Sequence, residues 1–431
     1  MKKTLLIFLL LGNLSQSFSQ QLIKVDDAID IALKNNFNIL TARNNAAIDS
    51  INNTAGNAGM LPTISLNGND EYSINNISQK QSSGGTFEAD NAYTNSFNAE
   101  VALNWTLFDG GKMFVTKSRL NEIQALGEIQ YREKVMQLVH DVVLAYYNVV
   151  KQEQQLSSIN EVIVYNLERV KILEVSFGAG LTPKTNLLQA KIDLNVYQEN
   201  AITQRTVISV SKRDLNELLS RDPGIEFEVE DSIPLNYHPE KDKLIQKIDS
   251  VNTSIQAFQK QVNIAQLTLK EVNSQLLPRL DATAAYSFLN INNEVGSILR
   301  NQTYGPSFGA RISIPLYQGG NARRQIKTAK IDLQSANWDL QNTRLLANSQ
   351  LQNAFTEFEN QLQLLTIEKD NVVLAKENLD ISMQRLRYGQ TTSLEVREAQ
   401  DSYEQSLTRL VNFKYNLKAA ETRLKQLMAE L

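Results

Sequence analysis

Two spacings of apolar residues alternate along this chain, and each occurs twice. From 112 to 177, and again from 316 to the end, apolar positions recur at three- and four-residue steps. They are Val135, Leu138, Val142, Ala145 and Val149 in the first tract, and Ile326, Ala329, Leu333, Ala336 and Leu340 in the second. Leu351, Ala354, Phe358, Leu362 and Leu365 continue the second series. This is the period of helices packed side by side as coiled coils. The eight prolines, at 62, 183, 223, 234, 239, 278, 306 and 315, avoid both tracts, so nothing interrupts the helices. Lys112 to Phe177 is 66 residues, a rod of about 99 Å at 1.5 Å per residue. A helix that long needs partners. The return segment at about 184–220 covers little more than half of it, and residues 26–59 supply the missing length, so two shorter helices stacked end to end are expected beside the long one. The second half repeats the scheme with 321–387 flanked by about 241–276 and 392–430.

Ahead of each long helix the period drops to two. Phe97, Ala99, Val101, Leu103, Trp105 and Leu107 alternate with polar or small residues, as do Phe308, Ala310, Ile312, Ile314 and Leu316. Their expected partners are Ile64, Leu66 and Tyr72 in one copy, and Leu280, Ala282, Ala284, Tyr286 and Phe288 in the other. Two hairpins follow, at about 62–108 and 279–317, with polar loops at Ser78 to Thr86 and Asn290 to Gly296. One apolar and one polar face fits strands with lipid on one side and water on the other. It also fits a soluble antiparallel sheet over a core. Four strands cannot close a membrane barrel, so the lipid reading requires several chains to combine.

The two copies are in register. Gly110-Gly111 recurs 209 residues later as Gly319-Gly320, and Gly180 recurs 209 residues later as Gly389. The interval from glycine pair to later glycine is therefore 69 residues in both copies. Such conserved spacing within one chain marks a duplication and is the length rule of a rigid rod between two turns. The hairpins differ: Pro62 to Gly110 spans 48 residues and Pro278 to Gly319 spans 41, which puts extra length in the first hairpin, expected in its outer loop.

Composition narrows the setting. Met1-Lys2-Lys3, the apolar run Thr4 to Leu11 and the small residues Ser17 and Ser19 predict a secretory signal over 1–19, too short to span a bilayer. The formal charge is −4, and −6 without Lys2 and Lys3, with no basic cluster to recruit nucleic acid. There is no cysteine, hence no disulfide and no thiolate metal site. Only two histidines occur, His140 and His238, and neither a phosphate-binding G-x-x-x-x-G-K-[ST] loop nor H-E-x-x-H is present. The sequence therefore offers no catalytic set, no metal site and no cofactor, and the energy for any transport must come from a partner.

The signal, the paired hairpins entered by Leu61-Pro62 and Leu277-Pro278, and the double glycines that leave them resemble the TolC-like outer membrane efflux family over essentially the whole mature chain. The sharpest resemblance lies in Tyr388-Gly389 followed by Thr392, Glu395, Val396, Glu398, Ala399 and Gln400, which is similar to that family's turn between long helix and return helix. Gly180, Pro183, Asn186, Leu187, Gln189 and Ala190 form the equivalent turn of the first copy. The implied fold is an α+β membrane protein of two repeats, 20–222 and 241–431, joined by a linker at 223–240. Each repeat would give a β-hairpin to a trimeric twelve-stranded transmembrane barrel and coiled-coil helices to a periplasmic tube. The implied function is the outer-membrane exit duct of a tripartite efflux pump or type I secretion system, a passive conduit with an iris-like gate. Its implied partners are two further copies, a periplasmic adaptor, an inner-membrane pump and outer membrane lipid in a Gram-negative cell. The linker, with Pro223-Gly224, acidic residues from Glu226 to Asp231, Pro234 and Pro239, resembles the family's equatorial segment.

A periplasmic coiled-coil scaffold or adaptor with a soluble β domain accounts for the same periods and is the alternative. Gly178, Gly180, Pro183, Tyr388, Gly389 and Thr392 suit sharp helix reversals; by resemblance they form the adaptor-docking tip, and otherwise they are turns alone. Pro62, Gly110, Gly111, Pro278, Gly319 and Gly320 are expected at strand-to-helix junctions. Trp105, Phe108, Tyr304 and Tyr317 suit interfacial aromatic girdles or burial against another subunit. Glu395 and Glu398 share a helix face. They are either a solvated surface or, in a trimer, an acidic constriction like that of some family members, where Asn186 and Gln189 stand in the first copy.

Overall fold

The computed structural model describes residues 21–80, 82 and 84–431, so the expected signal segment lies outside the described residues. The chain divides into two compact units, one of 21–41, 133–251 and 347–431, the other of 42–132 and 252–346. Both contain parts of two long helices, α3 (Lys112–Gly178) and α7 (Asn321–Arg387), each of 67 residues.

The first unit starts with β1 (Gln21–Leu22), which pairs in parallel with β4 (Phe227–Glu228). The linker thus contributes a strand rather than only a connection. Tyr146 of α3 is fully buried and pins this pair from beneath: its hydroxyl donates to the Ile23 carbonyl at 2.9 Å and accepts from the Glu230 amide at 3.0 Å. Helix α1 (Val25–Asn35) carries its apolar stripe inward through Ala28 and Ala32. The return helices are α4 (Lys184–Leu218) and α8 (Ser393–Leu427), 35 residues each. A continuous helix was expected over 26–59, but Asn36 breaks it, and α2 (Phe37–Asn52) follows. Asn36 adopts φ −64, ψ 121, its Oδ1 accepts from the Asn38 amide at 3.0 Å, and its Nδ2 donates to the Leu218 carbonyl at 3.0 Å. The second copy breaks in the same way between α5 (Lys241–Val251) and α6 (Thr253–Ser274), where Asn252 has φ −64, ψ 122 and caps the Ile255 amide at 3.1 Å. An asparagine side chain supplies the acceptor that a new helix start lacks, so one residue ends one helix and begins the next.

The second unit holds an antiparallel sheet in the order β2-β3-β5-β6. Its strands are β2 (Thr63–Lys80), β3 (Thr86–Asp109), β5 (Arg279–Asn293) and β6 (Arg300–Ser313). The register pairs Leu66 with Val101, Val101 with Tyr286 and Tyr286 with Pro306, so the alternating apolar residues fall on one face. That face is uncovered: Leu66 is 77 % exposed and Phe308 83 %. β2 and β6 are the sheet edges, and among the described residues no strand pairs with their outer sides.

The expected outer loops are shorter than the sequence indicated. Ser78 to Lys80 and Thr86 are paired, and Asn290 to Asn293 belong to β5. The extra length of the first hairpin is strand, because β3 pairs with β5 only from Thr94 onward, and six of the eight residues before it pair with β2. A bulge between Asn75 and Ile77 accommodates Asn91 at φ 52, whose amide donates to Asn76 Oδ1 at 2.8 Å. At the other end β6 stops at Ser313, short of the expected Ile314 and Leu316. Pro315 has no amide hydrogen to continue the ladder and β6 has a partner on one side only.

Candidate functional site

At the strand-to-helix junctions, Pro62 directly precedes β2 and Pro278 directly precedes β5, while Gly110-Gly111 and Gly319-Gly320 occupy the two residues before α3 and α7. All four glycines are left-handed, at φ +73, +82, +61 and +78. A side chain resists this backbone, which explains the pairs. The Asp109 carboxylate accepts from the Met113 amide at 3.0 Å and so caps α3 as it starts.

The two turns that end α3 and α7 share one geometry. Gly180 at φ +73 and Gly389 at φ +68 follow their helices. Their amides donate to Phe177 and Leu386 carbonyls at 2.9 and 3.0 Å, and the next amides, of Leu181 and Gln390, reach back to Ser176 and Arg385 at 2.8 Å each. Both are glycine-terminated Schellman ends. Gly178 differs from the expectation for a turn glycine, being the last residue of α3 with an ordinary helical backbone. The return helices begin differently. Thr392 Oγ1 accepts from the Glu395 amide at 3.2 Å and caps α8, whereas Pro183 starts α4 without a side-chain cap. Leu181 and Tyr388, 81 % and 75 % exposed, project beside these turns.

Glu395 and Glu398 lie on the exposed side of α8, with Val396 and Ala399 buried on the other. Their environments are unequal. Glu395 accepts hydrogen bonds from Thr391 Oγ1 and, at 3.4 Å, from Thr392 Oγ1, and Arg385 Nη1 stands 4.0 Å from its Oε2. In the first copy Asn186 donates to Thr182 Oγ1 at 3.0 Å and Gln189 to Asp193 Oδ1 at 2.8 Å. The two copies therefore carry carboxylates and amides, respectively, at these two matching positions.

Behind the turns, α3, α4, α7 and α8 share a core of Leu173, Leu187, Leu379, Met383, Val396, Ala399 and Tyr403. Polar links that sequence reasoning missed fasten α3 to α7 and α8. Glu161 accepts from Tyr403 Oη at 2.7 Å and from Lys376 Nζ at 3.1 Å, Tyr165 donates to Asp380 at 2.9 Å, and Arg387 pairs with Glu168. Residues 161, 165 and 168 follow helical spacing and so share one side of α3, but polar residues are frequent along this helix and the spacing alone does not set these three apart. Arg169, 1 % exposed, extends the network to α4 and α8 by pairing with Asp193 and donating to Gln400 Oε1 at 2.6 Å. Burial lifts the Tyr165 hydroxyl to about 12, with its hydrogen bond to Asp380 adding to the shift, so these phenols stay protonated donors.

Among the described residues no group of three or more histidine, aspartate or glutamate side chains is arranged to hold a metal, and no helix is long and apolar enough to cross a membrane. The latter says nothing of the sheet. The fold resembles a solved structure of CusC, with TM-score 0.80 and 17 % identity over 94 % of this chain and 91 % of that one. It also resembles the outer membrane protein VceC of Vibrio cholerae, with TM-score 0.76 and 17 % identity over 94 % and 95 %. In sequence the chain is 21 % identical to the outer membrane protein TolC of Escherichia coli (strain K12) over 90 % of this chain and 78 % of that protein. It is 20 % identical to the alkaline protease secretion protein AprF of Pseudomonas aeruginosa over 86 % and 77 %. The outer membrane efflux protein family model matches residues 28–221 and 244–430, nearly all of both repeats, and the chain belongs to that family.

Proposed function

We propose that this chain is a subunit of a passive exit duct in the Gram-negative outer membrane, serving efflux or type I protein secretion. The observation that carries the reading is the four-stranded sheet with one bare apolar face and two unpaired edges, β2 and β6. Unpaired strand edges are intolerable in lipid. Three copies joined edge to edge supply twelve strands and a lumen wide enough for passage. The matched 67-residue helices α3 and α7, with their return helices, make the wall of the periplasmic tube.

The turns at Gly180 and Gly389 are the docking end for a periplasmic adaptor, which couples the duct to an inner-membrane pump. The exposed Leu181 and Tyr388 favour a partner that covers apolar surface there. Glu395 and Glu398, repeated by symmetry, ring the constriction and favour cations. The links from Glu161, Tyr165 and Glu168 to α7 and α8 hold the closed arrangement, and opening separates α7 and α8 from α3.

Extraction and single-channel recording test this reading. The full chain should require detergent, run as a trimer and open discrete conductances in a planar bilayer. A water-soluble monomer without channel activity would instead identify a periplasmic scaffold with a soluble β domain.

A further inference from the structure

The two open edges of the sheet constrain how they can meet. Ile64 and Leu66 of β2 share the apolar face with Phe308, Ala310 and Ile312 of β6, whereas Glu71 of β2 and Ser307 of β6 lie on the polar face. A joint that keeps both faces must oppose even-numbered residues to even-numbered ones, because a slip of one residue turns every side chain over. The Asn293 amide donates to the Leu299 carbonyl at 2.8 Å. Backbone groups alternate sides along a strand, so odd-numbered residues of β6 bond β5 and even-numbered ones turn their amide positions to the open edge. Pro306 is one of these, and its missing donor costs the chain's own ladder nothing.

The rows of paired residues run obliquely to the strand ends. The row from Thr63, the first residue of β2, passes through Asn104 and Thr283 to Gly309, four residues before β6 ends at Ser313. The row from Ile64 reaches Phe308, four residues before Ile312, the last residue on the apolar face of β6. Level ends thus drop four residues over three strand-to-strand steps. In a closed ring of identical chains the joint is a fourth such step, so at the same gradient the shift per chain lies between five and six, and six is the nearest even value. Strand tilt agrees: with strands about 4.8 Å apart and residues about 3.4 Å apart, twelve strands shifted by six per chain tilt by about 47°, near the roughly 45° of membrane strands. A shift of eight tilts them by about 55°, outside the usual range, and a shift of four, about 35°, needs a joint with no drop at all. We propose that β6 of one chain joins β2 of a second copy in antiparallel register, with Ser313 opposite Ser65, Ile312 opposite Leu66, Ser307 opposite Glu71 and Arg300 opposite Ser78. Every residue of β6 then meets a residue of β2, with two residues of β2 left over at each end. This register rests on the shared sheet proposed above and adds which residues meet.

The chain has no cysteine, so introduced pairs cross-link without background. Directly opposite residues hold their Cβ atoms about 4.5–5.5 Å apart and diagonal ones about 7–8 Å, and only the closer spacing admits a disulfide. Positions 71 and 307 lie on opposite edge strands of one chain, so a bond between them forms only between copies. Ser307→Cys combined with Glu71→Cys, oxidised in the detergent-purified full chain, should shift the single-chain band on a non-reducing denaturing gel to a covalent trimer. Arg311→Cys with Asn67→Cys should do the same at a second place along the joint. Ser307→Cys with Asn69→Cys, the pair for a shift of four, and with Ser73→Cys, the pair for eight, should remain single chains. Sizing in the same detergent before oxidation separates two failures. Trimers that cross-link only through position 69 or 73, or through none of these pairs, overturn the register and leave the shared sheet standing. Native chains that size as monomers overturn the shared sheet and the register with it.

Discussion

A Cβ built on Gly110 falls 2.6 Å from the Leu277 Cβ and equally close to the Ser274 carbonyl oxygen. The end of α6 is thus pressed against the turn between β3 and α3. Gly319, its counterpart 209 residues later, meets nothing within 4 Å. Gly110→Ala therefore combines a left-handed alanine, about 1–2 kcal/mol, with an overpacked contact, about 1–3 kcal/mol. Gly319→Ala bears only the first cost. Thermal unfolding of the two variants in detergent should show the larger loss for Gly110→Ala.

Tyr146 is expected to give a pH signature. Burial raises its phenol to about 12, above the 10.0 of an ordinary tyrosine. The unfolded chain then releases this proton first as pH rises, so the stabilisation is complete below pH 10 and is lost on the way to about 12. Tyr146→Phe should reduce that alkaline slope. At neutral pH it should cost about 1–3 kcal/mol for stranding buried polar partners, here the Ile23 carbonyl and the Glu230 amide. Chemical denaturation at neutral pH and near pH 11 checks both parts.

Glu161 joins α3 to both α7 and α8, so substitutions there test whether these links hold the proposed gate shut. Glu161→Gln keeps an acceptor for Tyr403 and weakens the pair with Lys376. Glu161→Ala removes both. Single-channel recordings should show more frequent opening in the order native, Glu161→Gln, Glu161→Ala. An unchanged open probability in the alanine variant would remove these links from the gating account.

The two carboxylates at the start of α8 give a selectivity prediction. Glu395→Ala combined with Glu398→Ala should lower cation preference and weaken block by polyvalent cations in planar bilayers. Glu398→Ala alone should contribute the larger share. Glu395 already engages Thr391 and Thr392 and lies near Arg385, whereas Glu398 is exposed on the same face. Unaltered selectivity in the double variant would return both to a solvated helix surface.

The long-range plan was legible because it rests on residues with few conformational choices. Left-handed glycines at 110, 111, 319 and 320 and the Schellman glycines at 180 and 389 mark chain reversals that other residues resist. Apolar periods of two and of three to four identified the strands and rods between them. Asn36 and Asn252 escaped notice because asparagine is common in this chain, and only its capping hydrogen bonds distinguish a helix break from a helix surface. The extra strand length of the first hairpin was hidden in polar residues such as Ser78 and Gln79, which pair through their backbones whatever their side chains prefer. The row of links from Glu161 to Glu168 could not be read at all without knowing which helix lies opposite.

The open edges at β2 and β6 also carry a genetic consequence. A sheet that becomes complete only when chains are shared makes every duct a mixture of whatever chains the cell produces. A variant that joins its neighbours through intact edges yet cannot open its own turn would spoil assemblies that also contain native chains. Such a lesion should behave as dominant over the native copy. A lesion at β2 or β6 that prevents joining should behave as recessive, because the defective chain never enters the assembly.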